Sequence, residues 1–342
     1  MIEKQDYSPK QTSSTHYPFL AGDKARLEEL ISVLSTTKLG SRLLDDAREA
    51  GITITTASLR GSHGSYSHEK KLVSLNTAGS LDRQVVTLAH ELRHAQQFKN
   101  GVQLDAFKDA PKDYLHSQGL IEADANAASC VVAWDLKQQG YPKPLEEFSK
   151  EHPLIAEPFV RTAENTGAAN GEAAKEAFFA WFNDMYIRNS YEKNYLRNFN
   201  ILKSHATRAE CESAMQRSVP VTDNAAKICK IDGKTYLSEK EVKEFFDRPE
   251  MSSIGHETFY AIYRNLRDIK KLGFMSDPKE VMTKEGNFTI RETIDYYDIK
   301  PSLAQRQQNA AEKISQYKQK KETSNILASA ITAIKRKNAF EK

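Results

Sequence analysis

The segment Thr87-Leu88-Ala89-His90-Glu91-Leu92-Arg93-His94-Ala95-Gln96-Gln97-Phe98 sets two histidines four residues apart, with a glutamate directly after the first. On a helix turning about 100° per residue, positions four apart differ by only about 40° around the axis, so the imidazoles of His90 and His94 converge on one point. Such a pair suits Zn2+, and Glu91 projects beside it without joining the ligands. Zinc held by three protein groups keeps one position open, where a water ionises near about pH 7. A carboxylate placed like Glu91 accepts that proton, and after attack on a peptide carbonyl returns it to the leaving amine. The chemistry expected is therefore peptide-bond hydrolysis with Zn2+ as the cofactor and a protein or peptide as the substrate.

A third ligand must come from elsewhere. The longer HExxHxxGxxH pattern would require Gly at 97 and His at 100, and the chain has Gln97 and Asn100. Glu122 is the first choice, because it follows His94 on the next expected helix among small alanines that allow two helices to approach closely. His116 and Asp124 are the rivals, Asp124 lying about 200° around the helix from Glu122 and reading as a solvated or capping carboxylate.

These groups need elements to carry them. Asp23 to Ala50, with Leu27, Leu30, Ile31, Leu34, Leu39, Leu43 and Leu44, has the three- and four-residue spacing of one or two amphipathic helices, closed by Gly51. The β-branched run Ile52 to Thr56 and the segment Lys71 to Asn76 read as two strands of a small antiparallel sheet around a glycine-rich turn at residues 60–65. Ser80 and Asp82 are plausible caps of a helix through Phe98; a loop is expected from Asn100 to about Gln118, and a further helix from Leu120 to about Gln139. From Pro144 on the pattern is mostly helical. The expectation is an α+β catalytic domain over 21–142 behind a flexible leader over 1–20. A helical extension or second domain over 143–300 and a basic, helical or partly disordered tail over 301–342 follow.

Glu122-Ala123-Asp124-Ala125-Asn126-Ala127-Ala128, following HExxH on the preceding helix, resembles the ExxAN-type glutamate helix of small intracellular gluzincins, including the family that cleaves phage-type repressors. It also resembles bacterial metallopeptidase domains with an HELRHA segment followed by an EADA-like helix. The likeness spans about residues 40–140 and is specific at the two ligand helices. It implies a zincin-like fold, His90, His94 and Glu122 as zinc ligands, Glu91 as general base and acid, and Asn126 as a hydrogen-bonding support for a ligand. In such folds Lys71 to Asn76 would be the edge strand along which an extended substrate pairs.

The remaining candidates divide between function and packing. Tyr114, His116, Tyr191, Tyr195 and His205 are conceivable donors to an oxyanion, and spacing does not choose among them. His63 and His68 read as exposed turn residues, Cys130 and the Phe178 to Phe182 cluster as core. Cys130, Cys211 and Cys229 form neither a disulfide framework nor a CxxC site. Net charge is only +3, made of +6 on residues 301–342, with nine Lys or Arg against three Glu, and −3 on residues 1–300, so there is no general case for nucleic acid. Hydrophobic residues make up 39% and charged residues 28%, and no stretch approaches a membrane span. With no secretory signal in its first residues the chain is expected in a cytoplasm, or exported by a specialised secretion machine. The competing reading is a protein-interaction protein with a catalytically idle metallopeptidase-like domain. A structural zinc site, however, fills all four positions with protein groups and gains nothing from Glu91.

Overall fold

The computed structural model describes residues 17–248, 251 and 256–271. Most of the leader over 1–20 and all of the tail over 301–342 lie outside the described residues. The fold is α+β: a four-stranded sheet on one side of a helical body, with a two-stranded hairpin further along the chain.

Helices α1 (Lys24–Ser35) and α2 (Lys38–Glu49) start where the side chains of Asp23 and Thr37 accept from main-chain N–H groups of the first turn. Their leucines Leu27, Leu30, Leu34, Leu39, Leu43 and Leu44 are fully buried, as the spacing predicts. The sheet is made of β1 (Leu20–Ala21), β2 (Thr53–Ala57), β3 (Gly64–Ser67) and β4 (Leu72–Asn76), in the order β1-β2-β4-β3. It is mixed, not antiparallel. β2 and β4 run parallel, Ile54 beside Val73, and β3 runs antiparallel to β4, Tyr66 beside Val73. The reason is that part of the glycine-rich segment is itself a strand: β3 folds back between the two runs, so β4 points the same way as β2. The expectation that Lys71 to Asn76 forms the edge also falls, because β4 is interior and β3 is the edge.

Helix α3 (Leu81–Lys99) is capped by Ser80, whose side chain accepts from Arg83 N–H, and carries the HELRH segment. Helix α4 (Pro111–Gln138) carries Glu122 and begins at Pro111, not at Leu120. A proline in the first helical turn lacks an N–H that would have no partner there, and its fixed φ is already helical, so Pro111 starts a helix inside the stretch expected as loop. Ala123, Ala125, Ala127 and Ala128 are all fully buried, and these small side chains let α4 lie close among its neighbours.

Helices α5 (Lys143–Glu151), α6 (Pro153–Thr166) and α7 (Glu172–Asn183) pack on the far side of α3 and α4. Next come α8 (Met185–His205), α9 (Arg208–Glu212), α10 (Val221–Ile228), the hairpin of β5 (Lys230–Ile231) and β6 (Lys234–Thr235), α11 (Glu239–Phe246) and α12 (His256–Lys271). The expected aromatic core is present, with Phe178, Trp181 and Phe182 buried. One hydrophobic cluster runs from Tyr17 to Met251 and so joins helices on both sides of residue 142. Among the described residues no helix is long and apolar enough to cross a membrane.

The α4–α7 contact depends on Gly119. A Cβ there would stand 2.8 Å from Phe182 Cε1 and 3.3 Å from Trp181 Cζ3. Both rings are buried and cannot swing aside. Gly119→Val is therefore expected to lower stability by about 1–3 kcal/mol through overpacking. Chemical denaturation measures it, and an unchanged midpoint would show that α7 yields freely.

Candidate metal centre

His90 and His94 occupy successive turns of α3, and Glu122 reaches them from α4. The two Nε2 atoms are 3.0 Å apart, and Glu122 Oε2 lies 3.3 Å from His90 Nε2 and 3.6 Å from His94 Nε2. Three potential ligand atoms thus lie within 4.8 Å of one another. Ligand arms of about 2.0–2.1 Å in tetrahedral array put neighbouring donor atoms roughly 3.3 Å apart. The residues therefore fit a metal ion: the three separations scatter around the tetrahedral value, and all three atoms are lone-pair donors facing a common centre.

The rivals for the third position are elsewhere. His116 is buried against the Phe246 ring and its Nε2 meets the main-chain oxygen of Met251 at 3.0 Å. Burial, Lys112 and Arg188 keep its imidazole neutral, with a pKa pushed down to about 3. Asp124 is not the solvated carboxylate expected from its place on the helix; it is fully buried. Its oxygens accept from Arg93 Nε and Nη2, both at 2.8 Å, from Tyr236 Oη at 2.8 Å and from Gln97 Nε2 at 2.6 Å. Asn126 also departs from expectation. Its Nδ2 donates to the main-chain oxygen of Glu122 at 2.9 Å, and no hydrogen bond ties it to an imidazole. The side chain that does support an imidazole of the group is Gln97, whose Oε1 is 2.9 Å from His94 Nδ1.

The site is electrostatically tense. Burial disfavours charge on His94, but the Glu122 carboxylate outweighs it and lifts the imidazole to about 9. Burial likewise opposes charge on Glu122, and the two imidazoles reverse that, holding it well below the carboxylate range. Glu91 behaves differently. Burial raises its pKa, and the pull of His90 and His94 does not cancel that rise. The main-chain N–H of Tyr66 on β3 also favours the charged carboxylate, as the smallest of these influences.

A cleft of about 500 Å³ opens beside these groups and is lined by His90, Glu91, Glu122 and Asn126. Gly64 forms part of its wall; a Cβ there would be 2.5 Å from Thr87 Cγ2 and 3.0 Å from Glu91 Oε1, so glycine lets the edge strand touch the helix. Of the five candidate oxyanion donors, the cleft lining includes Tyr191 alone. Its hydroxyl bonds Glu122, and burial together with the carboxylate keeps it protonated. Tyr114 and Tyr195 stack on each other in the core, and His205 ends α8 on the exposed surface. His63 lines the cleft with its Nε2 3.4 Å from Glu151, whereas His68 stacks on Phe98. His152 is a lining residue that sequence reasoning missed. Burial, His90 and His63 keep it neutral with a pKa pushed down to about 4, and its buried Nδ1 has no partner among the described residues. Only its place next to Glu151 on the cleft helix could have signalled it.

A model of the Putative metallopeptidase family (DUF6782) matches residues 8–237, about two thirds of the chain. The chain belongs to that family. No curated protein and no solved structure matches it. The matched span covers α3, α4 and Tyr191, and a metallopeptidase requires a metal ion, for which the His90, His94 and Glu122 group is the candidate among the described residues.

His90→Ala, His94→Ala and Glu122→Ala are each expected to weaken binding of one divalent ion by at least about 100-fold, and His116→Ala to leave it unchanged. Isothermal titration of the metal-free protein decides; equal affinity in Glu122→Ala would remove α4 from the site.

Proposed function

We propose that the protein is a zinc-dependent metalloendopeptidase of gluzincin type, with His90, His94 and Glu122 as the zinc ligands and Glu91 as the proton carrier. The observation that carries this reading is that Glu91 lines the same cleft as His90 and Glu122 yet is not one of the three groups that converge on a common point. Zinc, when bound, supplies a Lewis acid that acidifies a water and polarises the scissile carbonyl.

The chain's own residues supply the rest. Glu91, with its pKa raised by burial, accepts a proton from the attacking water and delivers it to the departing amine. Its neighbour Gly64 leaves room for this transfer, because any side chain there would press on the Glu91 carboxylate. His152, kept neutral, stands in the cleft wall as a donor for the carbonyl oxygen as it gains charge, while the Tyr191 hydroxyl is engaged by Glu122. Phe148, Trp181 and Ile187 give the cleft an apolar side that excludes water from the reacting groups. An open cleft beside an edge strand suits an extended stretch of protein rather than a chain end, which supports an endopeptidase. No contact of the cleft with nucleic acid or membrane is part of the proposal.

Glu91→Gln is expected to bind one zinc as the wild type does and to lose proteolysis by a factor on the order of 10²–10⁴. Comparing newly formed protein termini in cells expressing either form measures the loss and names the substrate. Identical termini in both would favour an interaction role with an idle metal site.

A further inference from the structure

We propose that the β5–β6 hairpin, received by Arg93, Asp124, Tyr236 and Gln97, is a clasp that orients His94 and thereby sets the affinity of the site for its metal. The proposal rests on the reading of His90, His94 and Glu122 as metal ligands and assigns positioning roles to residues that touch neither metal nor cleft.

The chain of contacts starts at His94. Gln97 Nε2 donates to the main-chain oxygen of Ile121 at 2.8 Å and to Asp124 Oδ2 at 2.6 Å. Both partners are acceptors, so the amide NH2 is fixed toward them and Oε1 must face His94. At 2.9 Å that oxygen demands a proton on His94 Nδ1. The ring is left to present Nε2 to Glu122 and His90. The tautomer and tilt of a ligand imidazole are thus dictated by an amide that α4 holds.

Asp124 is in turn saturated. Four donors occupy its two oxygens: Arg93 Nε and Nη2, Tyr236 Oη and Gln97 Nε2. An ionised carboxylate has about four lone-pair positions, so none is spare and its orientation is fixed. Arg93 is pinned from the far side. Its Nη2 also donates to the main-chain oxygens of Ile228 at 2.7 Å and Lys230 at 2.8 Å, at the root of the hairpin, and its Nη1 meets Gln96. Tyr236, just past β6, supplies the other hairpin contact.

Removing the hairpin's contribution would leave buried guanidinium N–H groups unmatched and Asp124 with a vacant acceptor, in a place where unpaired polar groups are costly. Gln97 would then have a mobile partner, and His94 a mobile support. Arg93, Gln97, Asp124 and Tyr236 are absent from the cleft lining, so any effect they have on metal passes through the groups they position, His94 directly and Glu122 through α4.

The test is the zinc dissociation constant of folded, metal-free protein by chelator competition, well below the melting temperature. Gln97→Met is expected to weaken binding by about 10–100-fold, the usual consequence of losing a ligand's hydrogen-bond partner. Tyr236→Phe, which removes one oxygen and keeps the ring, is expected to shift it in the same direction by less, and it decides the question should Gln97→Met fail to fold. Asp109→Asn is the control: Asp109 is as buried as Asp124 and pairs with Arg217, but it has no link to His94. It should lower the melting temperature without changing affinity. Wild-type affinity in both Gln97→Met and Tyr236→Phe would overturn the clasp alone. Failure of the wild type itself to bind zinc would overturn the metal-site reading and the clasp with it.

Discussion

Ligands from two helices can share one ion only if the helices keep a fixed distance and rotation, and the buried Arg93–Asp124 pair is what ties α3 to α4 at that level. Hydrophobic packing alone does not set rotation, since it is non-directional. A guanidinium and a carboxylate joined by two parallel hydrogen bonds do, because their planes and spacings must match. The coupling is tight in sequence: Arg93 sits inside the HELRH segment, one residue before His94, and Asp124 sits two residues after Glu122. Side chains on one face of each helix serve the cleft, and those turned away from it serve the lock.

The same economy of position governs the cleft. β3 is an edge of the sheet and also the strand whose Gly64 lies against Glu91, so the element that borders the cleft also neighbours the proposed proton carrier. Helix α5 closes the opposite side, with Glu147 and Glu151 both near Arg83 of α3 and His63 near Glu151. Helix α8 adds Tyr191 through its bond to Glu122. A region that reads as a helical extension in the sequence therefore contributes walls and donors to the cleft.

What the sequence made legible follows physical range. Periodicity and caps are local, and they locate the outer ends of the α1–α2 stretch, α3, β2 and β4 to within a residue or two, without dividing α1 from α2. HELRH is local as well, and one helical turn brings its histidines together. Glu122 could be chosen from its alanine-rich helix, and its Oε2 lies within reach of both imidazoles. The direction of the sheet was not legible, because a strand hidden in a glycine-rich stretch reverses the apparent topology. Pro111 misled because proline stops a helix in most positions and starts one at its first turn. Asp124 misled for a deeper reason. A carboxylate looks solvated until its partners are known; Tyr236 lies more than a hundred residues on, and so do the Ile228 and Lys230 main-chain oxygens that hold its other partner, Arg93. His152 and Tyr191 share that limit, since neither carries a spacing that points to the cleft.

The most direct measurement of the central claim is X-ray absorption at the zinc edge on protein loaded with one equivalent of zinc. The account predicts two imidazole nitrogens at about 2.0–2.1 Å and carboxylate oxygen at about 2.0–2.2 Å, with no sulfur. A sulfur shell near about 2.3 Å, or a spectrum without imidazole scattering, would contradict it and move the metal away from His90, His94 and Glu122.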